Sequence, residues 1–137
     1  HHDTGAAVRG VPTDQGAVMW VELAGWVILW GAVATLGHEL THYLVYVTFA
    51  HHIEFDVMNM QITAEYDDTP INHRLAAVAG VAPLLVGVVV LAALSALWWS
   101  EGLTIYRMIV VVALLIYTFT GGWSDYRPAL QQLRYAA

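Results

Sequence analysis

The sequence of 137 residues contains no cysteine and no lysine. Without cysteine, disulfides, thiolate-bound zinc and thiol catalysis are excluded, and histidine, aspartate and glutamate remain as metal ligands. All five basic residues are arginine, against eleven acidic residues. The net charge of −6 argues against a nucleic-acid partner, because binding to phosphates requires a basic surface. Charged residues make up only 12% of the chain, below the roughly 25% that is usual in soluble domains.

Apolar residues make up 58% of the sequence, and the mean hydropathy is +0.58. They are concentrated in three long runs, and about 20 such residues are enough for a helix to cross a bilayer. We therefore predict an all-α membrane protein whose core is three transmembrane helices, at about 18–50, 71–99 and 103–122. Residues 1–17 show no apolar period and are expected to be a flexible N-terminal tail, so that residues 18–137 form a single membrane-embedded domain.

The stretch between the first two runs alternates in polarity with a period of two. Apolar residues alternate with acidic ones over residues 53–57, and with polar ones over residues 60–65. This pattern predicts a short β-hairpin or two edge strands between helices 1 and 2.

Small residues and a proline mark the second run. Ala76 and Gly80 are four positions apart, and small residues at this spacing allow two transmembrane helices to approach closely. Pro83 lies inside the same run, where proline predicts a kink in the helix.

The first run contains the motif His38-Glu39-Leu40-Thr41-His42. Residues four apart lie on one face of an α-helix, so both imidazoles can bind the same metal ion. Glu39 lies beside them and could take a proton from a water molecule that the metal activates, as in zinc hydrolases. The alternative is a pair of hydrogen-bonded core histidines. We favour the metal site because two histidines and a glutamate are costly to bury in an apolar helix without a function.

A two-histidine site needs a third protein ligand, and Asp125 is the candidate that counting along the chain selects. From the predicted starts of their spans, His38 is 20 residues into the first helix and Asp125 is 22 residues beyond the start of the third. Helices 1 and 3 of a three-span chain run in the same direction, so the two residues reach similar depth. The glycine pair before Asp125 and the proline after it are expected to open the helix there. The alternative roles of Asp125 are a helix cap and an ion pair with Arg127.

Three further histidines, His51, His52 and His73, lie on the same side of the predicted membrane. They are alternative ligands or stabilisers of a transition state, although a lone histidine at a membrane interface is more often a polar interfacial residue. Arginines are more numerous on this side, three against two, which favours a cytoplasmic site. We therefore expect a multi-pass integral protein of a prokaryotic plasma membrane.

Three of these features together resemble the site-2 protease class of intramembrane zinc metalloproteases and the small zincin membrane peptidases related to it. They are the motif at 38–42, Ala79-Gly80-Val81-Ala82-Pro83 in the second span, and Ser124-Asp125 after the third. The resemblance implies that the two histidines and the aspartate hold Zn²⁺ and that the glutamate is the general base. It also implies that peptide bonds of a membrane protein or peptide substrate are hydrolysed in or near the lipid bilayer.

Two other functions are compatible with the sequence. A membrane oxygenase with two iron ions would use several histidine boxes, and the sequence has no repeated HxxHH box. A non-catalytic membrane interaction protein could keep the metal for structure alone, but it would have no need of Glu39.

Overall fold

A computed structural model describes residues 13–120 and 122–137. The described chain is mostly helical, with one two-stranded sheet. Its elements are, in chain order, α1 (Thr13–Tyr46), β1 (His52–Asp56), β2 (Gln61–Glu65), α2 (Pro70–Trp98), α3 (Ile105–Phe119) and α4 (Gly122–Tyr135). Three stretches are long and apolar enough to cross a membrane, namely Asp14–Tyr46, Pro70–Trp98 and Ile105–Tyr135, the last of which combines α3 with α4.

The prediction of three long apolar helices and a hairpin is therefore confirmed, but two boundaries differ. Helix α1 begins at Thr13, inside the predicted tail, and the rest of that tail lies outside the described residues. Asp14 stands in the first turn of α1, where a carboxylate is favoured by the helix dipole. The third span was predicted to continue to residue 122, whereas α3 ends at Phe119 and α4 begins at Gly122.

Threonine caps fix the starts of α2 and α3. The Thr69 hydroxyl accepts a hydrogen bond from the Asn72 N–H at 3.3 Å, and Pro70 occupies the first turn, where its missing N–H costs nothing. The Thr104 hydroxyl accepts from the Arg107 N–H at 3.3 Å in the same way. Both helices therefore begin where the sequence supplies a side-chain acceptor.

The hairpin is antiparallel, and its register runs from His52 opposite Glu65 to Asp56 opposite Gln61. At the turn, Asp56 Oδ1 accepts from the N–H groups of Met58 at 2.9 Å and of Asn59 at 3.2 Å. A carboxylate that binds the backbone two and three residues ahead is a common way to close a turn. The turn brings β2 back against α1, beside the motif at residues 38–42.

Helix α2 is the central element, because its small residues allow α3 and α4 to lie close to it. Its buried residues are Ala76, Ala77, Ala79, Gly80, Ala82, Pro83 and Gly87. A Cβ added to Gly80 would lie 2.6 Å from Ala129 Cβ on α4, and one added to Gly87 would lie 1.9 Å from Thr118 Oγ1 on α3. The close approach predicted from Ala76 and Gly80 is thus seen at Gly80, toward α4.

We expect Gly87→Ala to destabilise the packing of α2 on α3 by about 1–3 kcal/mol, the usual cost of overfilling a packed contact. The matched control is Gly25→Ala in α1, where an added Cβ meets nothing within 4 Å and alanine favours the helix. Unfolding by SDS in mixed micelles measures both variants. Equal stability of the two variants would contradict the contact between Gly87 and Thr118.

Candidate metal centre

The two histidines of the motif and Asp125 converge between α1 and α4. His38 is fully buried and His42 is 7% exposed, and their rings lie one turn apart on α1. The two Nε2 atoms are 3.2 Å apart. Asp125, in the first turn of α4, places Oδ2 3.0 Å from His38 Nε2 and 3.6 Å from His42 Nε2. The three residues that sequence reasoning selected as ligands are therefore brought together.

Backbone carbonyls hold the other nitrogen of each ring. His38 Nδ1 donates to the Tyr117 carbonyl of α3 at 2.5 Å, and His42 Nδ1 donates to the Ala79 carbonyl of α2 at 2.8 Å. A carbonyl can only accept a hydrogen bond, so each Nδ1 carries the proton. In a neutral ring, the Nε2 atom then has a free lone pair, and this lone pair is directed toward the partner histidine and Asp125.

This arrangement brings three hydrogen-bond acceptors together, the two Nε2 atoms and Asp125 Oδ2, and none of the three carries a proton when both rings are neutral. Two neutral Nε2 atoms and a carboxylate oxygen repel one another at 3.0–3.6 Å unless a cation or extra protons lie among them. Ligands about 2.0–2.1 Å from a tetrahedral zinc ion are about 3.3 Å apart, which agrees with the observed separations. Nitrogen and carboxylate donors are also those that such an ion accepts. The group could therefore hold a metal ion.

Glu39 lies at the same site but is not one of the converging atoms. Its half-buried side chain lines a cavity of about 110 Å³ together with His42 and Asp125, and the polar side chains of Gln61 and Ser124 line the same cavity. Glu39 Oε2 accepts a hydrogen bond from the Ile62 N–H of β2 at 3.2 Å. The Glu39 carboxylate therefore lies at the cavity, whereas the Nε2 atoms of the two histidines and Asp125 Oδ2 converge on one another.

The alternative histidines lie elsewhere. Among the described residues, His38, His42 and Asp125 are the one group that brings three ligating atoms within 4.8 Å of one another. His51 is exposed, with Nε2 3.9 Å from the Glu65 carboxylate. Both ring nitrogens of His73 are engaged, Nε2 with the Asp68 carboxylate at 2.6 Å and Nδ1 with Gln132 Oε1 at 2.5 Å. His52 is exposed on β1 and, among the described residues, is not part of this group.

Sequence reasoning missed the residues that hold the motif in place. Tyr117 contacts it twice, through its carbonyl to His38 and through its hydroxyl, 2.5 Å from Thr41 Oγ1. The Thr41 hydroxyl also donates to the Gly37 carbonyl at 2.8 Å. Nothing in the spacing of a tyrosine inside an apolar run indicates such a role, because its partners depend on how α3 packs against α1.

We expect His38→Ala and Asp125→Ala each to weaken the binding of added zinc by about 100-fold or more, since each removes one of the three side chains that could hold a metal ion. His51→Ala is the matched control and should bind zinc as the wild type does. Zinc content after gel filtration and competition with a chromogenic chelator measure the effect. Full zinc content in Asp125→Ala would exclude this aspartate as a ligand.

Gly80→Ala should weaken zinc binding about 10- to 100-fold without touching a ligand, because the added methyl group would press on Ala129 and on the Asp125 carbonyl, 3.3 Å away. The control is Gly31→Ala in α1, where an added Cβ meets nothing within 4 Å. The same chelator competition applies. An unchanged affinity in Gly80→Ala would show that α4 does not need this close contact to present its aspartate.

Comparison with known proteins gives no match: no protein-family model, curated protein or solved structure matches this chain.

Proposed function

We propose that this protein is an intramembrane zinc metalloprotease that hydrolyses peptide bonds in or near the bilayer. The observation that carries the proposal is the pairing of a three-acceptor group with a separate carboxylate at one small cavity. A metal held for structure alone is usually enclosed by four protein ligands, whereas a hydrolytic zinc site has three and leaves one position open. The group formed by His38, His42 and Asp125 has the second composition.

The surroundings of the site support a place within or beside a membrane. The ligands lie on stretches that are long and apolar enough to cross a bilayer, and large apolar side chains are exposed along them, such as Ile28, Leu44 and Val89. Exposed apolar surface of this extent is unfavourable in water and favourable in lipid. The proposed substrate is a membrane protein or peptide that reaches the cavity from the lipid or its interface.

Each residue of the site has a distinct task in the proposed reaction. His38 and His42 would hold a zinc ion through Nε2, in the tautomer that the two backbone carbonyls select, and Asp125 would add a negatively charged ligand. The chemistry that zinc would supply there is that of a Lewis acid toward water and a carbonyl oxygen. Glu39 takes the proton of the attacking water and transfers it to the nitrogen of the leaving amine, so that one peptide bond becomes an acid and an amine.

Water has a place in this cavity. A volume of about 110 Å³ holds a few molecules, each of which takes about 30 Å³ in the liquid. The polar groups of Glu39, Gln61 and Ser124 line it and can bind them. An apolar pocket would exclude water, which hydrolysis consumes.

Two alternatives are less well supported. In a non-catalytic metal protein, Glu39 would serve only as the acceptor of the Ile62 N–H, which leaves its place on the cavity beside His42 and Asp125 unexplained. An oxygenase with two iron ions needs more ligands than three, and the ring of His73, which could have supplied one, is held by Asp68 and Gln132. Zinc near one equivalent per chain favours the hydrolase, and two irons per chain would favour the oxygenase.

We expect Glu39→Gln to retain zinc and to lower the rate of peptide cleavage by about 10²–10⁴-fold, because the amide cannot accept the proton. The assay is cleavage of a quenched-fluorescent single-span peptide with a leucine- and alanine-rich core, reconstituted with the protein in phosphatidylcholine vesicles. Glu54→Gln, an exposed position on β1, is the matched control. Cleavage by Glu39→Gln at the wild-type rate would eliminate the proposed mechanism.

A further inference from the structure

The carbonyl that holds His42 belongs to a residue four positions before a proline. In an α-helix, each carbonyl accepts a hydrogen bond from the N–H group four residues further along. For Ala79 in α2 that residue is Pro83, which has no N–H to donate. The Ala79 carbonyl therefore has no backbone partner of this kind, and it instead accepts from His42 Nδ1 at 2.8 Å.

The Ala79 carbonyl is buried, so it would be costly to leave without a hydrogen bond. Ala79 is fully buried, and the Pro83 ring is among the most completely buried side chains of the described chain. Water cannot serve as the partner of a carbonyl in such a place, and a buried carbonyl without a hydrogen bond is costly. The proline ring also presses on the carbonyl four residues before it, which turns that carbonyl away from the helix axis. In α2 this carbonyl contacts α1 at His42.

We propose that Pro83 is a positioning residue for the metal centre: it frees the Ala79 carbonyl, which fixes the His42 ring with Nδ1 protonated and Nε2 available as a ligand. This inference rests on the metal site of the proposed function and not on peptide hydrolysis. Histidine ligands are generally oriented by an acceptor at their other nitrogen, and loss of such an acceptor weakens metal binding. Here the acceptor exists because a proline interrupts the bonding of another helix.

Pro83→Ala tests the proposal because it should lower the affinity for zinc without lowering the stability of the protein. The new N–H at position 83 can close the helical bond to the Ala79 carbonyl and compete with His42. We expect zinc affinity to fall about 10- to 100-fold. The SDS midpoint of unfolding should not fall, because alanine is much better than proline inside a helix. A residue that only filled space would lose affinity and stability together.

The matched control is Val81→Ala, in the same turn of α2. It removes a similar apolar volume but adds no N–H, so zinc affinity should stay within about twofold of the wild type. If Pro83→Ala does not fold, Pro83→Gly introduces the same N–H with a smaller gain in helix preference and tests the same competition.

A second measurement needs neither zinc nor substrate. Imidazole ¹⁵N chemical shifts of the metal-free protein in micelles report which ring nitrogen carries the proton. In Pro83→Ala, the His42 ring should lose its preference for the Nδ1–H form. His38, whose acceptor is the Tyr117 carbonyl on α3, should keep that preference and serves as the internal control.

The proposal is overturned if Pro83→Ala and Pro83→Gly bind zinc as tightly as the wild type, or if Val81→Ala weakens binding as much. A shift of both histidine rings would equally overturn it, since that would indicate general disruption. A wild-type protein that binds zinc but cleaves no peptide would refute the protease and leave this test unaffected. A wild-type protein that binds no zinc would remove the metal centre, and the tautomer of His42 would still decide whether Pro83 positions the ring.

Discussion

The candidate metal centre depends on two backbone carbonyls that accept hydrogen bonds from side chains of another helix. The Tyr117 carbonyl lies in the last turn of α3, where the helix has no further N–H group to donate to it. The Ala79 carbonyl lies four residues before Pro83 in α2. Each accepts the Nδ1 proton of one histidine of α1. As a result both Nε2 atoms face Asp125 with their lone pairs, and the three converging acceptors could hold a cation. The end of α3 and the proline of α2 thus each leave a carbonyl that selects the tautomer of one histidine on α1.

The small residues of α2 make the close contacts that bring the other helices to the site. The small residues of α2 allow α4 to approach within contact of Gly80, which brings Asp125 to the histidines, and allow α3 to approach at Gly87, which places Tyr117 nearby. Farther along the helices, an apolar cavity of about 390 Å³ lies between α1, α2 and α3. The three candidate ligands therefore lie beside the close contacts that α2 makes. Large apolar side chains that suit a lipid environment are exposed along the helices.

Much of this could be predicted from the sequence, because it follows from periodicity and length. The four-residue spacing of His38 and His42 places both on one face, and counting along three apolar runs brings Asp125 to the same depth. The alternating stretch gave the hairpin. The early start of α1 was missed because residues 13–17 lack an apolar period, although a helix, once formed, extends at little cost. Acceptor roles of backbone carbonyls were also missed, since a carbonyl has no letter in the sequence and its partner is set by packing. The Ala79 carbonyl is the exception. A proline four residues further along a helix shows in the sequence that this carbonyl lacks its helical N–H donor.

The hydrogen bond from the Ile62 N–H to Glu39 gives the hairpin a part in events at the cavity. Asp56 closes the loop of the hairpin through the N–H groups of Met58 and Asn59, and the side chain of Met58 is exposed. Because the bond to Glu39 joins β2 to α1, any shift of the hairpin relative to α1 would change its length and the surroundings of the Glu39 carboxylate.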